Sequence, residues 1–107
     1  MEKKIGCAFC ELSEIKNRGL IIQNNLAWAF LTNIPIVPGH LLIVPNRCVA
    51  KVEDLMAPEL AAIFELVLKL KPAMSGLFGA TGFNFAWNDG VSGGQSVPHF
   101  HLHMIPR

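Results

Sequence analysis

Three histidines alternate with apolar residues near the end of the chain, at His99, His101 and His103. Successive side chains of a β-strand point to opposite faces, so this spacing predicts three imidazoles on one face, about 6–7 Å apart, with Phe100 and Leu102 facing the core. One histidine in a protein core is common, but packing does not explain three in a row. A neutral imidazole is a good nucleophile near pH 7, and two imidazoles at this spacing can also chelate one metal ion. The row therefore predicts either nucleophilic catalysis or a catalytic metal site.

A glycine-rich segment, residues 88–96, comes shortly before this row, and both lie within residues 81–107, which we treat as one functional unit. Glycine permits backbone geometries that aim consecutive N–H groups into one concavity. No lysine or arginine lies between Lys71 and Arg107. An anion bound here would therefore be held by amides, hydroxyls and imidazoles, and such neutral donors suit the charge that develops in a transition state.

Apolar stretches predict the elements that position these residues. The expected strands cover residues 20–23, 26–31, 40–45, 82–88 and 98–106. The main helix is expected to begin at Ala57, and Pro72 is expected to kink or end it. Its predicted apolar stripe comprises Leu60, Ile63, Phe64, Val67 and Leu68. Because strands and helices do not alternate, the pattern predicts an α+β fold: an antiparallel sheet of about five strands with one main helix, in a single domain of residues 1–107.

The composition excludes several classes of function. Hydrophobic residues make up 51% of the chain and charged residues 16%, against about 25% charged in a typical soluble domain. This surplus of apolar residues favours a homodimer with a buried apolar face. The net charge of +1 gives no broad basic patch for nucleic acid, and no apolar run reaches the ~20 residues that span a membrane. We expect a cytoplasmic protein without nucleic-acid or membrane partners.

The cysteines follow a pattern that several kinds of site share. Cys7 and Cys10 form a Cys-x-x-Cys motif, which serves zinc sites and redox centres alike. Cys48 makes the number of cysteines odd, which argues against a disulfide framework. The three cysteines are therefore expected to be either metal ligands or reduced, buried residues that pack as small apolar groups.

The motif His-x-His-x-His, after Gly-Gln-Ser-Val-Pro, resembles the signature of the histidine triad (HIT) nucleotide hydrolases and transferases. The resemblance extends from Cys7 to Arg107 and implies a HIT-like fold joined across a homodimer. It implies that His101 attacks the α-phosphate of a dinucleoside polyphosphate or a nucleoside phosphoramidate. A nucleotidyl-histidine would form, and water would release a nucleoside monophosphate. His103 is expected to bond the phosphoryl or leaving-group oxygens and to help protonate the leaving group, while Ser96 reaches the bridging oxygen. The alternative is a purine nucleotide-binding module without catalysis.

The same resemblance assigns the nucleotide contacts. By position these are Phe9, Leu12 and Phe30 for the base, Thr32 and Asn33 for the ribose, and Asn88, Gly94, Gln95 and Ser96 for the α-phosphate, together with His101 and His103. Thr32 stands where the family usually has a carboxylate or carboxamide, and the adjacent Asn33 is a substitute. His40 matches a histidine that lies behind the triad, where it is expected to fix the tautomer of a catalytic ring.

The resemblance also implies a structural zinc ion. Residues 1–16 would form a zinc-knuckle segment, and the four ligands would be Cys7, Cys10, Cys48 and His99. Histidine is more usual than cysteine at position 48, but a cysteine is an equally competent zinc ligand. No catalytic metal is expected, and magnesium is expected only as a companion of a polyphosphate substrate.

Overall fold

The structure is a computed structural model that describes Phe9 and residues 19–107. Its elements are β1 (Leu20–Gln23), β2 (Ala27–Leu31), β3 (Leu41–Pro45), α1 (Ala57–Phe78), β4 (Phe83–Ala86) and β5 (Leu102–Pro106), with short 3-10 turns at Val52–Asp54 and Val91–Gly93. The strands form one sheet in the order β1-β2-β3-β5-β4, and each neighbouring pair is antiparallel. The predicted α+β fold, with five strands and one main helix, is confirmed.

The two faces of the sheet have different coverings. Helix α1 packs on one face, and the buried core there includes Ala27, Ala29, Leu41, Ile43, Ile63, Leu66, Leu70, Met74, Phe100, Leu102 and Met104. A second apolar cluster lies on the other face and consists of Phe9, Trp28, Phe30, Leu42 and Val44. The division follows from the alternation of side chains along each strand. His103 is directly opposite Leu42 in the β3–β5 register, so its ring belongs to the face that α1 does not cover.

Strand β5 is shorter than predicted, because it begins at Leu102 and leaves His99 and His101 before it. The last pair between β3 and β5 joins Ile43 to Leu102. Further along β3, Pro45 has no N–H to donate to a ladder. Its carbonyl accepts a bond of 2.7 Å from the His99 ring, so a side chain replaces the next backbone contact. The alternation itself is as predicted, since Phe100, Leu102 and Met104 are all buried in the core beneath α1.

Helix α1 does not end at its proline, which was one of two predicted outcomes, and its apolar stripe differs from the prediction. Pro72 lies inside the helix, which continues to Phe78 and ends at Gly79 in a left-handed conformation with φ of 67°. Buried Leu70 and Met74 flank the proline, and their packing outweighs the loss of one intrahelical bond. The buried stripe comprises Ile63, Leu66, Val67, Leu70 and Met74, and Glu59, whose carboxylate is paired with Arg47, is buried beside it. Of the predicted stripe, Phe64 is 51% exposed and Leu68 is 72% exposed.

Within the described residues, no helix has the length and apolar character needed to cross a membrane.

Candidate active site

A cavity of about 240 Å³ opens on the face of the sheet opposite α1. It is lined by Phe9, Phe30, Thr32, Asn33, Ile34, His40, Leu42, Ser96, Val97, His101 and His103. Eight of these residues are among the predicted site residues. Phe9 lies near the N-terminus, and the others come from β2, the loop after it, β5 and the segment before β5, with His40 just before β3. The structure therefore brings together in one cavity residues that lie far apart in the sequence.

The His101 ring is held by the backbone of the same segment. Its Nδ1 lies 2.8 Å from the His99 carbonyl oxygen, and a carbonyl can only accept, so Nδ1 carries the proton. In a neutral imidazole the other nitrogen then holds a lone pair. The ring is 7% exposed and lines the cavity, so Nε2 is the atom available for nucleophilic attack.

A chain of hydrogen bonds fixes the His103 ring. The Ile36 N–H donates to His40 Nδ1 at 3.1 Å, so the proton of neutral His40 must be on Nε2. This Nε2 lies 2.9 Å from His103 Nδ1 and donates to it. His103 consequently carries its own proton on Nε2, and it can donate a hydrogen bond to a ligand oxygen. The predicted position of His40 behind the triad agrees with this geometry.

The pKa values of these rings favour the neutral state that the tautomers require. Burial lowers the pKa of His103 to about 4, with smaller effects of His101 and His40. Burial also lowers the pKa of His40, and the positive charge of Arg107 lowers it further. The pKa of His99 is lowered mainly by burial, although its bond to the Pro45 carbonyl acts in the opposite direction. These three imidazoles are therefore neutral at pH 7.

The glycine-rich segment forms a self-contained loop. The N–H groups of Gly93 and Gln95 donate to the Gly90 carbonyl, and the Gly94 N–H donates to the Val91 carbonyl. The Gln95 amide donates to the carbonyls of Ala50 and Val97, and its oxygen accepts from the Gly90 N–H. These amides are therefore engaged within the protein, contrary to the expected concavity of N–H groups. Asn88 likewise donates to the Gly94 carbonyl.

The loop presents Ser96 to the cavity. Gly94 has φ of 91°, a conformation that side chains disfavour, and it lets the chain turn towards Ser96. Asn88, Gly94 and Gln95 do not line the cavity, and their roles at a phosphate stay predictions. Cys7, Cys10 and Leu12 lie outside the described residues.

Sequence reasoning missed three residues of the cavity wall: Ile34, Leu42 and Val97. Leu42 could have been predicted, because it lies two positions after His40 on the predicted strand and so shares its face. The Ile36 N–H and the carbonyls of Pro45 and His99 were also missed. Backbone groups carry no signal of residue type, so no pattern in the sequence indicates which of them orient a ring.

Comparison with known proteins adds to this geometry. A family model described as "HIT domain" matches residues 14–107. The chain belongs to the HIT domain family. Among curated relatives, it is 41% identical over 85 residues to the asymmetrical bis(5'-nucleosyl)-tetraphosphatase of Schizosaccharomyces pombe, covering 79% of this chain and 47% of the relative. It is 32% identical over 93 residues to the bis(5'-adenosyl)-triphosphatase of Dictyostelium discoideum, covering 87% of this chain and 62% of the relative. This HIT domain thus spans about half the length of the curated relatives that it matches.

Solved structures agree with the fold. A HIT family protein from Bacillus anthracis superposes with a TM-score of 0.87 at 31% identity, covering 98% of this chain and 75% of that one. The diadenosine triphosphate hydrolase of Plasmodium falciparum superposes with a TM-score of 0.80 at 34% identity, covering 84% of this chain and 61% of that one. The five-stranded sheet and single main helix are those of HIT domains.

The hydrogen-bond chain predicts the titration of one ring. Nitrogen-detected NMR is expected to show His103 protonated only on Nε2 at neutral pH and to become doubly protonated near pH 4. An unfolded histidine binds its proton near pH 6.5, so the unfolded chain binds more protons between these values. Lowering the pH from about 6.5 to about 4 should therefore lower the free energy of unfolding. The His103→Gln variant assigns the signal, and a His103 ring that titrates near pH 6.5 would contradict the prediction.

Proposed function

We propose that this HIT domain cleaves dinucleoside polyphosphates at the α-phosphate and releases a nucleoside monophosphate through a nucleotidyl-histidine intermediate. One observation carries the proposal: the Nδ1–H of His101 is bonded to the His99 carbonyl. This bond leaves a nucleophilic Nε2 in a cavity that is lined by aromatic rings and polar side chains. The names of the relatives, a bis(5'-nucleosyl)-tetraphosphatase and bis(5'-adenosyl)-triphosphatases, support the same substrate class.

The chemical step follows from the tautomers. The lone pair on His101 Nε2 forms a bond to the α-phosphorus, and the bond from that phosphorus to the leaving group breaks with its electron pair going to the leaving oxygen. The ring gains positive charge as the bond forms, and its Nδ1–H bond to the His99 carbonyl strengthens in response. Water then forms a bond to the same phosphorus and loses a proton to the solvent, the bond from phosphorus to Nε2 breaks with its electron pair returning to His101, and the nucleoside monophosphate is released.

His103 is better suited to hydrogen bonding than to proton donation. A pKa of about 4 makes its cationic form rare at pH 7, whereas the neutral ring still presents Nε2–H to a phosphoryl oxygen. The cavity lining contains no carboxylic acid among the residues that the structure describes. A leaving polyphosphate departs as a stable anion and needs little help from an acid, unlike an amine. This difference favours dinucleoside polyphosphates over nucleoside phosphoramidates, which were the other substrate class consistent with the sequence.

The nucleoside end of the substrate has a suitable slot. Phe9 and Phe30 have ring centroids 5.4 Å apart at an angle of 53°, and with Leu42 they form apolar walls of the kind that hold a purine. Thr32 and Asn33 line the same cavity, where their polar groups can meet the ribose. The Thr32 hydroxyl oxygen already accepts from the Ile34 N–H, so Asn33 is the better candidate for the sugar hydroxyls.

Replacement of the nucleophile tests the proposal. His101→Ala is expected to lower turnover of diadenosine tetraphosphate by at least about 10³-fold while nucleotide binding is retained, because only the covalent step is lost. Wild-type protein quenched in alkali with radiolabelled substrate should yield adenylated histidine, and the variant should yield none. Wild-type protein that binds adenine nucleotides but turns over no dinucleoside polyphosphate would instead indicate a binding module without catalysis.

We also propose a structural zinc ion held by Cys7, Cys10, Cys48 and His99. Cys48 is 5% exposed, and its Sγ lies 3.9 Å from the carbonyl oxygen of Pro98, the residue next to His99. His99 is fully buried and keeps its proton on Nε2, towards Pro45, so Nδ1 carries the lone pair that a metal requires.

One described residue of the N-terminal segment, Phe9, supports the proposal. The Phe9 ring, which lies between Cys7 and Cys10 in the sequence, packs against the His99 ring with centroids 5.9 Å apart. Such a zinc ion would anchor the N-terminal segment over the sheet. Thiolate ligands persist in a reducing compartment, which supports the proposed cytoplasmic location; cell fractionation would test it.

Substitution of Cys48 tests the zinc proposal. Freshly purified protein should contain close to one zinc ion per chain by elemental analysis, and Cys48→Ala should lose most of it together with thermal stability. Cys48→His is the matched control, because histidine is also a zinc ligand and should retain the ion. Unchelated wild-type protein without zinc would refute the proposal.

A homodimer is proposed from exposed apolar residues on the helix side of the sheet. Phe64 and Leu68 of α1 are joined by Phe85 and Trp87, which are 41% and 44% exposed. Phe64 and Trp87 line the same small cavity, so the patch is continuous. Strand β4 is also the outer strand of the described sheet, and an exposed edge favours pairing with another chain.

A charge in this patch should separate the protomers. Leu68→Glu is expected to sediment as a monomer at concentrations where the wild type is a dimer. Leu77→Glu is the control: Leu77 is 75% exposed, and its position nine residues further on places it about 180° around the helix. A wild-type monomer, or equal effects of the two variants, would contradict the proposed interface.

A further inference from the structure

The active-site face of the sheet continues past His103 along β4 and β5. In their register Ala86 is opposite His103, and Asn84 is opposite Ile105. Alternation places all four side chains on the same face of the sheet. Asn84 and Ala86 are exposed, so this row of side chains, from His103 along the edge strand β4, is accessible to a ligand.

Arg107 lies at the far end of this row. Its N–H donates to the Gly82 carbonyl at 2.9 Å, and its carbonyl accepts from the Thr81 N–H at 3.0 Å. The side chain folds back along the strand, because its Nε donates to Asn84 Oδ1 at 2.8 Å. Since Asn84 is opposite Ile105, the guanidinium is directed towards His103 rather than away from it.

Within the part of the chain that the structure describes, the charge of Arg107 is not matched by a carboxylate side chain. Of the four other cations of residues 19–107, three are paired with acids, Arg47 with Glu59, Lys51 with Asp89 and Lys69 with Glu65, and Lys71 is in no such pair there. Arg107 is bonded to a neutral carboxamide instead and keeps its remaining N–H donors. Its charge also acts on His40, whose pKa it lowers, so it is electrostatically coupled to the histidines of the site.

We propose that Arg107, held by Asn84, binds the distal phosphates of the leaving group and makes the domain selective for substrates with a polyphosphate chain. The selectivity rests on the proposed function, whereas the binding site does not depend on turnover. A guanidinium with several free donors suits phosphate oxygens.

The spacing supports this substrate class. His103 and Arg107 are four residues apart on an extended strand, so their Cα atoms are about 13 Å apart, and the arginine side chain shortens that gap. A leaving group of several phosphates, starting at the β-phosphate next to the α-phosphate that His101 attacks, extends far enough to meet the guanidinium. A leaving group without further phosphates does not.

Two substrates distinguish a role of Arg107 in binding distal phosphates from a general loss of activity or stability. For Arg107→Gln, kcat/KM with diadenosine tetraphosphate should fall about 10-fold or more, while kcat/KM with the 4-nitrophenyl ester of adenosine monophosphate should change less than about 2-fold. The ester has a good leaving group and no distal phosphate. Lys69→Gln removes a cation from the other side of the protein and should affect neither substrate. An equal loss on both substrates, or no loss on either, would overturn the proposal.

A second variant keeps the arginine and cancels its charge. Asn84→Asp places a carboxylate beside the guanidinium and should reproduce the selective loss of kcat/KM with diadenosine tetraphosphate. Arg107→Lys keeps a positive charge and should lose less of this kcat/KM than Arg107→Gln does. If Asn84→Asp leaves diadenosine tetraphosphate turnover unchanged, the proposed subsite is wrong.

Binding separates this proposal from the proposed reaction. In a His101→Ala background, calorimetry should show that Arg107→Gln weakens binding of diadenosine tetraphosphate at least about 5-fold and leaves binding of adenosine monophosphate unchanged. This comparison decides the subsite even if the wild type shows no turnover. Equal affinity of both proteins for the tetraphosphate would refute it.

Discussion

The hydrogen bond from the His101 ring to the carbonyl of His99 is the interaction on which the site depends. It decides which nitrogen of His101 carries the proton and thus which one can attack. The same short segment also secures the His99 ring on the Pro45 carbonyl. Each of these rings is oriented by a backbone acceptor, and backbone acceptors on strands and their extensions move little. In the proposed reaction the His101 ring is therefore aligned before any ligand arrives, which lowers the reorganisation required in the transition state.

The β3–β5 pairing carries this arrangement into the sheet. His103 is opposite Leu42, and His40 directly precedes β3, so pairing of the two strands also brings together the imidazoles of His40 and His103. Their neutral state results from burial as well as from hydrogen bonding. Burying two cationic imidazoles would cost far more free energy than burying two neutral imidazoles joined by one hydrogen bond. The pairing of β3 with β5 therefore has two results: it packs the rings against the apolar cluster, and it fixes their tautomers.

Much of this was predictable from the sequence. Alternation gave the strands and placed Phe100 and Leu102 opposite the histidines, and the family motif identified His101, His103, Ser96 and His40. The exact start of β5 was not predictable, because it depends on the Pro45 carbonyl being occupied by an imidazole from elsewhere in the chain. The sequence left open whether α1 ends at Pro72 or continues through it, and the exposure of Phe64 was missed, since both depend on which face of the helix meets the sheet. Propensity and periodicity describe one element at a time, whereas these features arise from contacts between elements.

Gly39 shows how far the requirements of the site extend into residues without chemistry. It has φ of 89°, and a Cβ at this position would lie 3.0 Å from the Phe78 ring and 3.1 Å from Pro106. Any other residue would be strained in its backbone and would push against the ends of both α1 and β5. Because His40 is the next residue, a shift of the backbone at Gly39 would also displace the His40 ring, which holds His103. Substitution of this glycine would thus resemble a defect in the proposed catalysis, although every reactive group remained in place.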